Sequence, residues 1–386
     1  MHSERSKRII AALLKSNFDA VICTSASAVL LLTGYWPVMG ASAAAISKEG
    51  EAHVILPEDE VELAEHSSGA FLVPYRPSSL VRITTTIQAL ADPFCSLTTR
   101  LGLSRARIGI ETDEGMQPAS YITSVDFHSS LALLLRQILP HADFVSCSET
   151  IEQMKAIKTS KELEVMRLAA TIAASGFAAA AAQIEPGKRE AEVAGALHSA
   201  FQSSNRGDHV ERSDGLFFCM SGPNSAKAAA AYARTRQRKI EEGDLVMIHA
   251  NTCADGYWTD ITRTYTAGAP TERQNAMRVA IAEARSAALS AIRPGAMARE
   301  VDGAARSVMA SHGFEKAFKH STGHGVGFAA ANGNALPRIH PQSTDVLEKG
   351  MTFNIEPAAY FDGYGGMRHC DVVAVTSNGA EVLTEF

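Results

Sequence analysis

Ile184–Ala196 (IEPGKREAEVAGA) and Ile292–Ala304 (IRPGAMAREVDGA) agree at seven positions in the pattern I-x-P-G-x4-E-V-x-G-A. In each copy a helix should stop at Pro-Gly, because proline cannot continue it and glycine accepts the left-handed cap conformation, and another helix should start a few residues later. Seven matches at identical spacing point to an internal duplication. The expected result is two similar halves, each a helix pair with strands, helices outside and sheet inside. A cleft between such halves is a natural place for catalysis.

Upstream of the first copy, Thr159-Ser160-Lys161-Glu162 signals a helix start, and an alanine-rich helix should run from there to Gln183. The segment before it, Thr150–Leu163, changes register, which places a domain boundary near 150–160, with domains over 1–153 and 154–386. The first domain alternates apolar runs with helical patterns. Ala20–Thr24, Ala43–Ser47, Glu51–Leu56, Phe71–Tyr75, Arg107–Glu111 and Ala142–Val145 read as strands, with helical connections over Ile87–Leu101 and Ser124–Leu139. That alternation predicts a three-layer α/β domain with a mixed sheet. The fold class is therefore α+β, with a smaller three-layer domain preceding a duplicated one.

A chain of 386 residues, 46% hydrophobic and 20% charged, has room for two domains and a large core. A net charge of -6 without a long basic stripe gives no footprint for nucleic acid. Arg234–Lys239 (RTRQRK) is the one basic cluster, read as a solvated surface or a docking point for an anion. No signal peptide is expected, since Met1–Lys15 reads as an amphipathic helix, and no apolar run is expected to reach the roughly 18 residues of a membrane span. The six cysteines are dispersed, with no CxxC pair, so reduced thiols in the cytoplasm are expected.

Four stretches carry the chemistry: His249–Tyr265 (HANTCADGYWTDITRTY), Lys319–Phe328 (KHSTGHGVGF), Met351–Pro357 (MTFNIEP) and Gly366–Thr376 (GMRHCDVVAVT). They place His249, Asp260, His324, Glu356 and Cys370 in apolar strands or a glycine-rich turn. An unpaired buried charge costs several kcal/mol, so such groups imply a shared counter-ion or proton network. Asp255-Gly256 marks a hairpin between Leu245–His249 and Trp258–Tyr265, bringing His249 and Asp260 within reach of one ion. In the last stretch, read as one strand, Arg368, Cys370, Val372 and Ala374 share a face, and His369, Asp371, Val373 and Val375 take the other. Arg368 can then stand beside Cys370 and hold a carboxylate or a substrate. Arg263 is expected to brace the hairpin, and Cys253 to be an incidental thiol on its loop.

The blocks KTSKE, S-G-P-N, G-D-L-V, D-I-T-R-T, T-G-H-G-V-G, N-I-E-P and the final R-x-x-D, in this order over Ile151–Phe386, resemble the pita-bread M24 family of methionine aminopeptidases, Xaa-Pro aminopeptidases, prolidases and creatinase. The first domain looks like the amino-terminal domain of the prolidase and creatinase branch. The resemblance implies the pita-bread fold and a site for two divalent ions held by Asp, Asp, His, Glu and Glu. Asp260, His324 and Glu356 match three of these, whereas His249 stands where the first Asp belongs and Cys370 where the last Glu belongs. His320 matches one of the family's substrate-side histidines. Two others are missing, one replaced by Ala331 and one absent from Ala228–Ala233.

In the family both replaced carboxylates serve the first ion. Two remaining carboxylates and at most one thiolate sum to about −3, which suits one divalent ion better than two. Imidazole and thiolate favour zinc, then iron or cobalt, over manganese. The resemblance therefore implies a hydrolase of an amide or related C–N bond, prolidase-like, with one divalent transition metal. Its ligands would come from His249, Asp260, His324, Glu356 and Cys370, with Glu356 also the general base, His320 the oxyanion donor, and His320 and Arg368 facing substrate. Two other readings stay open. One is a metal-free, creatinase-like hydrolase in which His324 or His249 is the base, or Cys370 a nucleophile. The other is a non-catalytic pita-bread binding module. The family also implies a homodimer. Specificity is assigned to Ala228–Tyr232, Phe328–Arg338 and Tyr360–Gly365, which have no readable code.

Overall fold

The computed structural model describes residues 3–38, 41–77, 80–81, 83–112, 128–204, 210–230, 234–329, 332 and 334–386. They form two compact units that meet in sequence between Lys155 and Ala156.

The first unit runs α1 (Ser3–Lys15), β1 (Ala20–Cys23), α2 (Ala26–Thr33), β2 (Ala43–Ser47), β3 (Ala52–Pro57), α3 (Val61–Ser67), β4 (Phe71–Tyr75), α4 (Thr86–Arg100), β5 (Arg107–Ile110), α5 (His128–Ile138), β6 (Asp143–Ser146) and α6 (Ser148–Ala156). Its six strands make one sheet in the order β4-β3-β2-β1-β5-β6. The β1–β2 and β2–β3 pairs are antiparallel and the other three parallel, so the sheet is mixed as the alternation predicts. The central strands are buried along their whole length, which explains why they read as continuous apolar runs. Helix α2 (ASAVLLLT) escapes a sequence reading for the same reason: six of its eight residues are buried and no polar face sets a period. The start of the helix expected over 124–139 lies outside the described residues.

The second unit runs α7 (Ser160–Ala181), α8 (Glu190–Ser203), β7 (Ser213–Ser221), β8 (Leu245–Ala254), β9 (Tyr257–Trp258), β10 (Ile261–Thr266), α9 (Glu272–Ala291), α10 (Ala298–Ser311), β11 (Thr352–Ile355), β12 (Ala358–Phe361), β13 (Gly365–Arg368), β14 (Asp371–Val375) and β15 (Ala380–Val382). Thr159 caps α7 and Glu162 returns the bond, the box read from the sequence. By length and composition α7 is apolar enough to cross a membrane, contrary to the sequence expectation. Alanine produces both properties: it is apolar, and it lets Ala169, Ala173 and Phe177 pack closely in the core beside α8 and β8.

The duplication is visible in the backbone. Gly187 and Gly295 both take positive φ, +94° and +85°. The Gly187 N–H donates to Ile240 O at 2.8 Å, and the Gly295 N–H donates to Leu347 O at 2.8 Å. Arg189 bridges to Lys239 where Met297 bridges to Val346. Each half thus ties its Pro-Gly turn to a strand-like segment some fifty residues on, by the same pair of bonds. Within Arg234–Lys239, Arg238 pairs with Asp244 and the Arg236 N–H donates to the buried Glu190, so the basic cluster is bonded into the fold.

Strands β10-β8-β7 form one sheet with β9 on β8; β11-β14-β15 and β12-β13 form two more. Strand β8 runs five residues beyond the expected His249 end, and the turn Asp255-Gly256 has both φ values positive, as a two-residue hairpin requires. Cys253 is therefore a buried strand residue, not a loop thiol. The last stretch is two strands, not one. β13 pairs with β12, β14 with β11 and β15, and the break falls at His369–Cys370. There the Thr262 N–H donates to Cys370 O at 3.3 Å and the Cys370 N–H to Thr262 O at 3.1 Å, which joins the two halves at the site.

Candidate active site

His249 lies opposite Thr262 in the β8–β10 ladder, and Asp260 precedes that partner by two residues, so both side chains project from one face. Asp260 is the hub. Its Oδ1 lies 3.7 Å from His249 Nδ1 and 3.6 Å from Cys370 Sγ, and its Oδ2 lies 3.6 Å from His324 Nε2. Glu356 reaches the cluster through Arg368, whose Nη1 is 3.5 Å from Oε2. The residues read as metal-binding and Arg368 are thus brought to one place.

The turn carrying His324 is placed by close backbone contact. A Cβ on Gly323 would fall 1.8 Å from Asn354 O, so only glycine lets this segment run against β11. The His324 N–H donates to Asn354 Oδ1 at 2.7 Å, and the Glu356 N–H donates to Thr322 O at 2.8 Å. From the other side Asp302, in the second copy of the repeat, accepts from the Thr322 N–H and hydroxyl, and Arg306 holds Asp302 while donating to His320 O. The repeat motif therefore anchors the turn that carries His324.

The two central imidazoles are wired differently. His324 Nδ1 lies 3.0 Å from Gly325 O, an acceptor only, so Nδ1 carries the proton. Its Nε2 therefore accepts from the Asn354 amide at 3.3 Å and lies 3.6 Å from Asp260 Oδ2. Asn354 also donates to Asp260 Oδ2 at 3.4 Å. For His249 the partner is Arg368, which has donors alone. The Thr262 hydroxyl lies 2.9 Å and Arg368 Nη2 3.1 Å from His249 Nδ1, which therefore accepts, leaving Nε2–H to donate to Asn251 Oδ1 at 3.2 Å. Burial, reinforced by the Arg368 charge, lowers the His249 pKa to about 4, so the ring is neutral.

The remaining groups are shaped by the same burial. Cys370 is fully buried, and desolvation with the charges of Asp260 and Glu356 raises its thiol well above its ordinary value. The thiol donates to Asp260 O at 3.2 Å. Burial also raises Glu356, against the charge of Arg368. Burial opposes the Arg368 charge, but Tyr360, Glu356, Cys370 and Asp260 outweigh it and raise that group. The guanidinium offsets one of the two carboxylates, a charge that the sequence sum of the cluster leaves out. Behind the site, Arg263 and Arg285 clamp Asp371 at 2.7 and 2.6 Å, and Arg263 also donates to Cys370 O, so it braces the hairpin against β14.

His320 is held by Ser321 O at 2.7 Å on Nδ1 and by the Tyr360 hydroxyl at 2.9 Å on Nε2. Burial, with the Arg368 charge, lowers its pKa to about 4. The neutral ring keeps its proton on Nδ1 and accepts from Tyr360, so in this arrangement it offers a lone pair where an oxyanion donor was expected. Tyr360, Asn354, Asn251 and Thr262 were missed as individual site residues. Asn354 was within reach: it is a buried polar residue in an apolar strand, two positions before Glu356 and so on its face. Of the expected specificity segments, residues 231, 232, 330, 331 and 333 lie outside the described residues.

A model of the metallopeptidase family M24 matches residues 164–377, and one of the creatinase/prolidase N-terminal domain matches residues 5–157. An Xaa-Pro dipeptidase of Pyrococcus horikoshii is 28% identical over 99% of this chain and 97% of its own length. One from Pyrococcus furiosus is 35% identical over 63% of this chain and 67% of its own. The crystal structure of the prolidase from Pyrococcus horikoshii OT3 superposes with a TM-score of 0.79, covering 99% of this chain and 98% of that one. The chain belongs to metallopeptidase family M24, with the pita-bread fold, and is a hydrolase of the peptidase class.

The family is metal-dependent, and the side chains fit an ion on one side of the cluster. Among the described residues no three His, Cys, Asp or Glu side chains stand, as placed, in a group that could hold an ion. At His324 and Asp260, however, a lone pair and a carboxylate oxygen face each other across 3.6 Å, with the Asn354 amide alongside. Both atoms accept from that one amide, and an imidazole nitrogen beside a carboxylate oxygen is a donor pair that suits a divalent cation. His324 is also oriented by a carbonyl on its far nitrogen, as metal-binding histidines usually are. At His249 the lone pair already faces the Thr262 hydroxyl and Arg368.

Proposed function

We propose that the chain hydrolyses the amide bond of a small dipeptide of the Xaa-Pro class, using one divalent transition metal, with zinc the first choice. The observation that carries this reading is the opposed pair of His324 Nε2 and Asp260 Oδ2. Asp260, His324 and Glu356 would hold the ion. An ion there supplies Lewis-acid polarisation of the scissile carbonyl and a more acidic water. Glu356, buried beside Arg368, is positioned to take the proton from the attacking water and pass it to the leaving nitrogen. Arg368 and the Tyr360–His320 pair border that carboxylate, where they can orient a substrate carboxylate or carbonyl. The names of the relatives in Pyrococcus support the substrate class. A homodimer in the cytoplasm belongs to the same proposal, and light scattering tests the first part.

The test is hydrolysis of a panel of Xaa-Pro dipeptides by protein made without a metal-binding tag, before and after chelation, alongside elemental analysis. Activity lost on chelation and restored by zinc, cobalt or manganese, with about one ion per chain, is the expected result. Turnover that survives complete removal of metal would overturn the ion's role and favour the metal-free reading.

A further inference from the structure

We propose that Thr264, with Thr262 beside it, is a positioning residue for Arg368: the two hydroxyls hold that residue by its backbone and its side chain, and so set where the guanidinium meets the substrate. The inference rests on the proposed reading in which Arg368 borders the substrate next to Glu356, and extends it to the residues that place Arg368 there.

The register makes the role visible. Thr262 and Cys370 exchange backbone bonds as an antiparallel pair. Two positions along each segment, the same register sets Thr264 against Arg368. There the Thr264 side chain takes over from the backbone. Its hydroxyl accepts from the Arg368 N–H at 3.1 Å and donates to Arg368 O at 2.9 Å. A hydroxyl inserted between two backbones keeps them farther apart than the roughly 4.8 Å of a direct ladder. The start of the Arg368 side chain is thus held off β10 by one threonine, and its head is held by the other. Arg368 Nε donates to Thr262 Oγ1 at 3.0 Å, and that hydroxyl lies 2.9 Å from His249 Nδ1. So placed, Nη1 stands 3.5 Å from Glu356 Oε2.

The other end of β13 is fixed in the same way. Strands β12 and β13 make a sheet of two, which is marginal on its own. The Gly366 N–H donates to Oγ of the buried Ser225 at 2.8 Å. A Cβ on Gly366 would fall 2.5 Å from the Tyr360 ring and 2.6 Å from Ser225 O, so the strand passes between them only as glycine. Ser225 and Thr264 therefore bond alternate residues of β13 on the edge turned from β12, where a buried amide needs an acceptor. Side-chain hydroxyls, not a neighbouring strand, decide where Arg368 sits.

The test is a double-mutant cycle on zinc-loaded protein with an Xaa-Pro dipeptide, together with a crystal structure of Thr264→Val. That variant keeps the shape of threonine and removes the hydroxyl, whereas Thr264→Ser keeps the hydroxyl. Thr264→Val should lower kcat/KM about tenfold, chiefly through KM, and Thr264→Ser should stay within about twofold of wild type. In an Arg368→Gln background Thr264→Val should cost less than about twofold, because the group it places is gone. A full tenfold loss in that background would make Thr264 a prop of the fold alone and overturn the inference. So would loss of the ion from Thr264→Val by elemental analysis. In the crystal structure the guanidinium should have left Thr262 and Glu356; a guanidinium in its wild-type place overturns the inference even where Arg368→Gln has no measurable turnover. Should Thr264→Val not fold, Ser225→Ala enters the same cycle from the other end of the strand. A chain inactive on every Xaa-Pro dipeptide would end the substrate reading and leave the crystal structure to decide on Thr264, so the two can fail separately.

Discussion

His249 and His324 sit on opposite flanks of Asp260, 3.7 and 3.6 Å from its two oxygens, and each turns an unprotonated nitrogen inward. The resemblance is superficial. His324 is held from behind by a backbone carbonyl and from beside by an amide that also donates to Asp260, neither of which carries charge, so neither neutralises the carboxylate on that flank. His249 meets a cation that the chain already supplies. The difference teaches that donor type does not define a metal ligand; what the lone pair already faces does. The His324 flank is also built on rigid contacts, with a glycine pressed against β11 and a carboxylate of the repeat helix behind it. The His249 flank instead depends on a buried ionic brace, Asp371 with Arg263 and Arg285.

The sharpest way to break this comparison is Asp260→Asn, which removes the shared hub. Losing an ion worth several kcal/mol to the transition state should lower kcat/KM by on the order of 10³-fold. Elemental analysis should find the ion gone while circular dichroism stays native. A variant that kept its ion would remove Asp260 from the centre of the site.

Next in size, Asp371→Asn tests the brace under the His249 flank. Breaking a buried pair by deleting one charge typically costs about 3–5 kcal/mol, and here two arginines would be left facing each other. Urea denaturation should report a loss in that range. The acid dependence should change too. Burial alone would raise the Asp371 carboxyl, but His369, Arg263 and Arg285 hold it well below its ordinary value. Its stabilisation is therefore present above the unfolded aspartate pKa of about 3.9 and lost as pH falls toward the folded value. Below about pH 4 the wild type should lose stability more steeply than Asp371→Asn.

A smaller effect should come from Asn354→Ala on the other flank. Asn354 orients both His324 and Asp260, and partners of that kind typically change metal affinity by about 10–100-fold. Competition with a chromogenic chelator measures it; an unchanged affinity would mean the opposed atoms are not the ion's ligands. The smallest effect belongs to Cys370→Ser, which keeps a donor to the Asp260 carbonyl. We expect the ion retained and kcat/KM within about tenfold of wild type. Loss of the ion in this variant would make the sulfur a ligand after all and dissolve the contrast between the flanks.

Much of the molecule could be read before any coordinates existed. The repeat announced two tied Pro-Gly turns because cap chemistry is local, and the mixed sheet of the first unit followed from short apolar runs bounded by turn residues. The capping box at Thr159 and the Asp-Gly hairpin were legible for the same reason. Helix α2 was not, since a helix buried on all sides shows no period, and the split of β13 from β14 was not, since the alternation of side chains continues through the break. At the site, the side chains able to bind or transfer protons were legible as charged or polar intruders in apolar strands. The tautomers were not, because they are set by partners from other strands: Arg368 for His249, Gly325 O and Asn354 for His324, Tyr360 and Ser321 O for His320.

By itself the sequence determined the two units, the duplication and the family, together with the set of residues available for catalysis, because each of these is written in local spacing. Tertiary structure alone decided that Arg368 reaches back to His249 across 119 positions and that His324 and Asp260 share the Asn354 amide. The physical reason is that charge and hydrogen bonding act over a few ångströms of space, whatever the distance along the chain, and in a buried cluster the nearest donor fixes which lone pairs remain for a metal.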